Sequence, residues 1–263
     1  MTPKIGIICG SGLNDIGEAI IDPVSICYSE IPGFHLSTVP GHKNKLLFGR
    51  FPLSNASSTL VGPEVVCMQG RFHGYEGIPY SQCSFPIRVM KLLGVEKLII
   101  TNAAGSVNPD YNLGEFIILK DHLPLAISRG LDGPLIGPND EEFGPRFFST
   151  NNAYDRELIL KFQNLSNFKT GVYAMLPGPN FESTAELKML NILGADLVGM
   201  STCNEVVVAA HCGIKCLGIS LVTNKCPLSY EVEVDANHEE VCDVGGERVG
   251  EVVRVLSEFL GIL

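Results

Sequence analysis

EKLIITNAAG, residues 96–105, is the stretch on which the fold turns. Leu98, Ile99 and Ile100 follow one another with no polar residue between them. A strand with one wet face alternates, so a run that is nearly all apolar predicts a strand covered on both faces, as in an α/β sheet. Its end, Thr101-Asn102-Ala103-Ala104-Gly105, places polar groups where such sheets gather ligands, at the carboxyl edge. Working outward, KIGIIC (4–9), EVVCMQG (64–70), FIILKD (116–121), TGVYAML (170–176), DLVGMS (196–201) and KCLGISLVTN (215–224) read as further strands. Between them, 79–93, 151–166, 183–193 and 204–212 have helical spacing, with Gly94, Gly194 and Gly213 where C-terminal caps belong. In the last segment Asn237 and Glu240 resemble a capping box, residues 241, 244, 252, 255, 256 and 259 share one helical face, and Gly245-Gly246 is expected to bend the helix. Residues 122–150, rich in Pro and Gly, read as a long irregular excursion of the kind that is often functional. No repeat or linker divides the chain, so the expectation is one α/β domain over 1–263, a central mixed, twisted sheet flanked by helices.

The composition fits. A chain of 263 residues with 45% hydrophobic content can bury a large core. Its 29 acids against 19 bases give a net charge of −10, which disfavours nucleic acid and anionic membranes as partners, so an anionic ligand must be held by local groups. The N-terminal apolar run is too short for a signal peptide and no uncharged run is long enough to span a membrane, so a cytoplasmic location is expected. Nine cysteines without a CxxC pair read as reduced, mostly buried thiols. HCGIKC (211–216) is the nearest approach to a metal cluster, and its apolar flanks favour a helix-to-strand junction. No metal is expected.

Two stretches carry chemistry. ICGSGL (8–13) follows the first strand, and its amides with the Ser11 hydroxyl could cradle a phosphate. The same glycines also fit a dinucleotide loop, with Glu30 as the ribose acid, or a plain turn. In MQGRFHGYEG (68–77), Arg71, His73 and Tyr75 recur at every second position, which in an extended backbone projects them together. Other strand ends add Asn102, Ser201 and Asn224. Donors without acids fit an oxyanion, Arg71 offering a bidentate fork and His73 a directed donor.

GSGL (10–13), PGHKNKLLFG (40–49), MQGRFHGYEG, TNAAGSVNP (101–109), GPNDEEFGPRF (137–147), GPNFES (178–183), GADLVGMST (194–202), TNK (223–225) and NHEEV (237–241) resemble, in order, the low-molecular-mass trimeric purine nucleoside phosphorylases. The resemblance implies that inorganic phosphate, a co-substrate with no further cofactor, attacks C1′ of a purine nucleoside in purine salvage, giving ribose 1-phosphate and the free base. It implies a phosphate cage of Ser11, His42, Arg71, His73, the Ala103 amide and Ser201. Tyr75, Met200 and His238 would contact the ribose, and Phe181 would line the nucleoside site. Glu182 would accept from N1–H of a 6-oxopurine while Asn224 donates to N7, making Asn224, Glu182 and His73 the catalytic set. Phe147 would enter a neighbouring subunit's site in a homotrimer, the bland reading being that Phe148 inserts instead. His238 also reads simply as part of a helix start.

An aspartate at position 224 would favour 6-aminopurines, as in the related methylthioadenosine phosphorylases, the second reading. A dinucleotide-dependent oxidoreductase and a catalytically silent nucleoside-binding scaffold are the readings from other classes. Against the family pattern, Gly74 replaces a larger side chain and Asn180 a Ser or Thr, both expected to loosen the base pocket. Asn44 stands where a glycine is common after His42, Asn14 and Asp15 change the end of the phosphate loop, and Cys226-Pro227 alters the segment after Asn224.

Overall fold

The computed structural model describes residues 1–55, 58–128, 132–232 and 238–263, with backbone alone at 54, 55, 58–60, 238 and 241. Its strands are β1 (Ile5–Cys9), β2 (Ile21–Cys27), β3 (Lys45–Asn55), β4 (Ser58–Gln69), β5 (Lys97–Ser106), β6 (Phe116–Leu123), β7 (Lys169–Met175), β8 (Leu197–Gly199) and β9 (Lys215–Lys225). They form one mixed sheet in the order β2-β3-β4-β1-β5-β8-β7-β6-β9, and β9 pairs back onto β5. Strands β5, β8, β7, β6 and β9 therefore close into a barrel, with β1 to β4 as an open wing. The mixed α/β sheet expected from the sequence is observed; its closure is an addition.

Strand β5 is the hinge between wing and barrel because it pairs with β1 and β9 in parallel and with β8 antiparallel. Having neighbours on both edges and cover on both faces leaves no position for water, which accounts for the unbroken apolar run: Leu98, Ile99 and Ile100 are all buried. Helices α1 (Tyr80–Cys83), α2 (Phe85–Leu93), α3 (Arg156–Leu165), α4 (Thr184–Ile192), α5 (Cys203–His211) and α6 (His238–Leu260) cover the sheet.

Three readings change. Strands β2 and β3 were not among the expected ones: β2 is an edge strand, largely exposed and carrying Pro23, so it lacks the apolar pattern that marks the others. The single helix expected over 79–93 is two, parted at Ser84 just before Pro86. The helix expected from 151 starts at Arg156, where Asp155 caps it by accepting from the Leu158 N–H at 3.0 Å. HCGIKC is the α5-to-β9 junction, with Gly94, Gly194 and Gly213 all at positive φ after their helices.

The expected cap at Asn237 lies outside the described residues, as does the side chain of His238. Helix α6 runs as one element across Gly245-Gly246, and the structure gives Gly245 a reason other than bending. A Cβ there would lie 2.5 Å from Cα of Gly12 and 2.6 Å from its carbonyl oxygen, so the helix rests directly on the loop after β1. Backbone cannot yield to that contact as a flexible side chain could. Gly245→Ala is expected to destabilise the protein by about 1–3 kcal/mol through overpacking, read as a lowered urea midpoint; an unchanged midpoint would show that α6 is not seated on the loop.

Candidate active site

The carboxyl ends of β1, β4, β5, β8 and β9 surround a cavity of about 450 Å³, a volume suited to a small ligand. Its floor is Asn102 to Gly105 of β5, with Ser11 beyond β1, Arg71 and His73 beyond β4, Met200 and Ser201 beyond β8, and Thr223 and Asn224 on β9. Pro179, Phe181 and Glu182 of the β7–α4 connection close the far side, and Thr38 to Pro40 the near side.

At one end stands Arg71, only 1% exposed. Its Nη1 donates to the Thr101 carbonyl at 2.9 Å and to Ser201 Oγ at 3.0 Å, and its Nε donates to Glu205 Oε1 at 3.2 Å. Nη2 is buried with no hydrogen-bond partner among the described residues. A guanidinium nitrogen is not left so without cost, and Arg71 is among the residues that line the cavity. Ser201 precedes Thr202, which holds φ +78° and ψ −53°, while the Cys203 N–H donates to the Ser201 carbonyl at 2.9 Å. That is a γ-turn at a β-branched residue, a strained conformation tied down by Asn102 Nδ2 donating to Thr202 Oγ1 at 2.9 Å.

His73 and Tyr75 also face the cavity, but not by one continued alternation. Strand β4 stops at Gln69, and Tyr75 sits in a 3-10 turn, Gly74–Glu76. The rings of His42, His73 and Tyr75 form a stack, with centroids 5.4 Å and then 4.7 Å apart. His42 is one layer back from the cavity wall, touching it through His73. Burial first, then the neighbouring His73 and Arg71, bring the His42 pKa down to about 3, so this ring is neutral at physiological pH.

Glu76 organises this wall. It accepts from the His73 N–H at 3.0 Å, from the Thr38 N–H at 2.6 Å and Thr38 Oγ1 at 3.0 Å, and its Oε1 lies 3.4 Å from His73 Nδ1. Burial would raise its pKa, but these hydrogen bonds prevail and hold it at about 2. Nδ1 thus faces a carboxylate, which orients a ring that also lines the cavity. The sequence flags Glu76 weakly, as the third residue after His73 in a capping-box spacing. Glu205 and Thr202 carry no such flag toward the site.

At the other end, Glu182 and Asn224 approach from opposite sides. Burial raises the Glu182 pKa, with Glu186 adding to it. Asn224 Nδ2 donates to Cys226 Sγ at 3.6 Å, and Thr223 Oγ1 donates to Asn224 Oδ1 at 3.4 Å. Met200 and Tyr75 meet over Gly178, where a Cβ would fall 2.4 Å from the Met200 sulfur. Phe147 stands away from the cavity, 89% exposed, whereas Phe148 packs its ring on His211 at 5.2 Å.

The expected loosening at Gly74 is not what the structure has. A Cβ at Gly74 would lie 2.6 Å from the Tyr80 ring, so the tyrosine occupies the space a larger side chain would take. Asn180 is exposed and donates to the Phe181 carbonyl at 3.0 Å, outside the cavity lining. Asn44 adopts φ +54°, the left-handed conformation that suits glycine or asparagine, and its amide exchanges hydrogen bonds with the Ser37 backbone at 2.8 and 2.9 Å. The dinucleotide reading lacks its frame: a short 3-10 segment and the edge strand β2 follow the glycine loop, and the Glu30 carboxylate accepts from the Cys27 N–H at 3.0 Å.

Fold and cavity thus define an α/β protein with an anion-ready end and a carboxylate–amide end in one pocket. The sequence profile of the phosphorylase superfamily matches residues 4–260, and the chain belongs to that family. It is 46% identical to the purine nucleoside phosphorylase of Anopheles gambiae over 99% of this chain and 72% of that one. It is 44% identical to the Bos taurus purine nucleoside phosphorylase over 99% and 88%. The crystal structure of Schistosoma mansoni purine nucleoside phosphorylase in complex with inosine superposes with a TM-score of 0.90 at 44% identity, covering 100% of this chain and 91% of that one.

Glu76→Gln is expected to cost about 1.5–3 kcal/mol for the charged hydrogen bond lost, seen in chemical denaturation. Unaltered stability would remove Glu76 from this role.

Proposed function

We infer that the chain is a purine nucleoside phosphorylase, transferring the pentosyl group of inosine, guanosine and their deoxy forms from base to inorganic phosphate. The observation that carries this is the pairing, within one 450 Å³ cavity, of the Arg71 guanidinium at one end with Glu182 and Asn224 at the other. Phosphate on Arg71, Ser11, Ser201, His73 and the Ala103 amide would attack C1′ of a ribose lying along Tyr75 and Met200. His42 serves this cage from behind, by holding the His73 ring.

The transition state resembles a sugar oxocarbenium ion. Glycosidases meet that cation with a carboxylate nucleophile and a carboxylic acid; here the phosphate is both nucleophile and counter-charge, so the protein's task is alignment and electrostatics. As the C1′–N9 bond breaks, its electrons pass to the purine. Asn224 meets the charge with an N–H aimed at N7, and Glu182 accepts from N1–H, with Phe181 against the base.

The reading treats the chain as a single phosphorylase domain acting as a cytoplasmic homotrimer, with phosphate as co-substrate and no cofactor. Exposure of Phe147 while Phe148 is occupied by His211 supports Phe147 as the residue that reaches a neighbouring pocket. Among the described residues no helix is long and apolar enough to cross a membrane.

Phosphorolysis of inosine, guanosine, adenosine and methylthioadenosine, compared as kcat/KM, tests the reading: the 6-oxopurines should lead, and preference for methylthioadenosine would replace it with the neighbouring activity. Asn224→Asp should reverse the order, lowering activity on inosine and raising it on adenosine. An unchanged ratio would take base selection away from residue 224.

A further inference from the structure

Glu205, the buried partner of Arg71, has no role in the reaction as described. The two side chains are 2% and 3% exposed, joined through Nε and Oε1 at 3.2 Å. Arg71 Nη2 and Glu205 Oε2 are each buried without a hydrogen bond of ordinary geometry among the described residues. Glu205 stands in the first turn of α5, directly behind the Ser201–Thr202 turn.

Its titratable neighbours are Arg71, Tyr28, Cys83 of α1, Cys203 of its own helix and Cys216 of β9. Burial pushes the phenol and all three thiols up, so they are neutral at physiological pH, and Arg71 is the charge-balancing partner of Glu205. The pair is therefore electrically closed before any ligand arrives. A tetrahedral anion on Nη2 adds negative charge to a guanidinium already matched, in a medium where charge is poorly screened. The neutral His42 ring offers no compensation.

We propose that Glu205 takes up a proton from solvent when the anion seats on Arg71, and returns it when the anion leaves. The proton goes to the carboxylate oxygen; Arg71 keeps its charge for the anion, and Nε continues to donate to the other, now neutral, carboxyl oxygen. This rests on the reading of Arg71 as the phosphate ligand. In keeping with it, burial already pushes the Glu205 carboxyl up in the unliganded protein, with Arg71 and the Thr202 backbone pulling the other way.

The sign follows from linkage. Anion binding raises the Glu205 pKa further, so affinity is flat above the bound-state pKa. It then rises by up to about tenfold per pH unit as pH falls toward the free-state pKa, and levels off below it. Sulfate is the probe, since it stays a dianion where phosphate itself titrates. Titration calorimetry with sulfate, in buffers of different ionisation enthalpy near neutral pH, should show proton uptake by the wild-type protein. Glu205→Gln should abolish the uptake and bind sulfate at alkaline pH at least as tightly as the wild type. Difference infrared spectra of the wild type should gain a protonated-carboxyl band on sulfate addition, a readout that stands even if the variant does not fold. No uptake, or uptake undiminished in Glu205→Gln, which would place the proton on His73, overturns the proposal, as does absence of the infrared band. Arg71→Ala separates the two readings: sulfate binding retained there would overturn the phosphate cage itself, while binding lost there but proton-free in the wild type would overturn only the role of Glu205.

Discussion

A guanidinium buried to 1% exposure must be answered by the rest of the molecule. Uncompensated, that charge would cost several kcal/mol. Its compensation comes from remote parts of the chain: the Thr101 carbonyl on β5, the Ser201 hydroxyl after β8 and the Glu205 carboxylate on α5. Wing and barrel are joined at this point, because Arg71 leaves the wing strand β4 while β5, β8 and α5 belong to the closed side. The strain at Thr202 belongs to the same requirement. A γ-turn there brings Ser201 to the guanidinium and lets α5 start immediately, with Glu205 in its first turn.

The protein's net charge of −10 would repel a phosphate from most of its surface. Attraction is therefore local, and the acids nearest the anion end are turned toward donors of the protein. Glu76 holds Thr38 and His73 by hydrogen bonds, and Glu205 holds Arg71. Neither presents a free oxygen to the cavity wall, which shows a ligand donors backed by acceptors. Such a wall orients an anion without gripping it as a cluster of unpaired cations would, a useful property where the anion must move about a bond length into C1′ and then leave as an ester.

How much of this could be read beforehand depends on whether a residue's partners are near in sequence. The apolar run of β5 declares itself because each of its residues faces a covered surface, and Gly10 to Gly12 and Arg71 to Tyr75 are local clusters. The edge strand β2 does not, since half-exposed edges carry no pattern. Glu205 does not either: in NEVVVAAH it reads as an ordinary helix-start acid, and only the fold brings it to Arg71. The same holds for Gly245, where composition suggests a bend and a tertiary contact with Gly12 decides. His42 lies between these cases, since its motif marks it for the site while the stacking behind His73 depends on β4 ending at Gln69.

The barrel closure, absent from any local pattern, also confines one side chain of the cavity. Pairing β9 back onto β5 sets Gly105 beside Asn224, and a Cβ at Gly105 would lie 2.6 Å from the Cys226 sulfur and 3.0 Å from Asn224 Nδ2. The amide is thus confined between backbone and thiol, with Thr223 on its oxygen, and cannot turn freely. An asparagine free to rotate would offer N–H and C=O to the cavity alike. What residue 224 can offer a ligand is consequently set by the strand pairing that limits its rotation as well as by its identity.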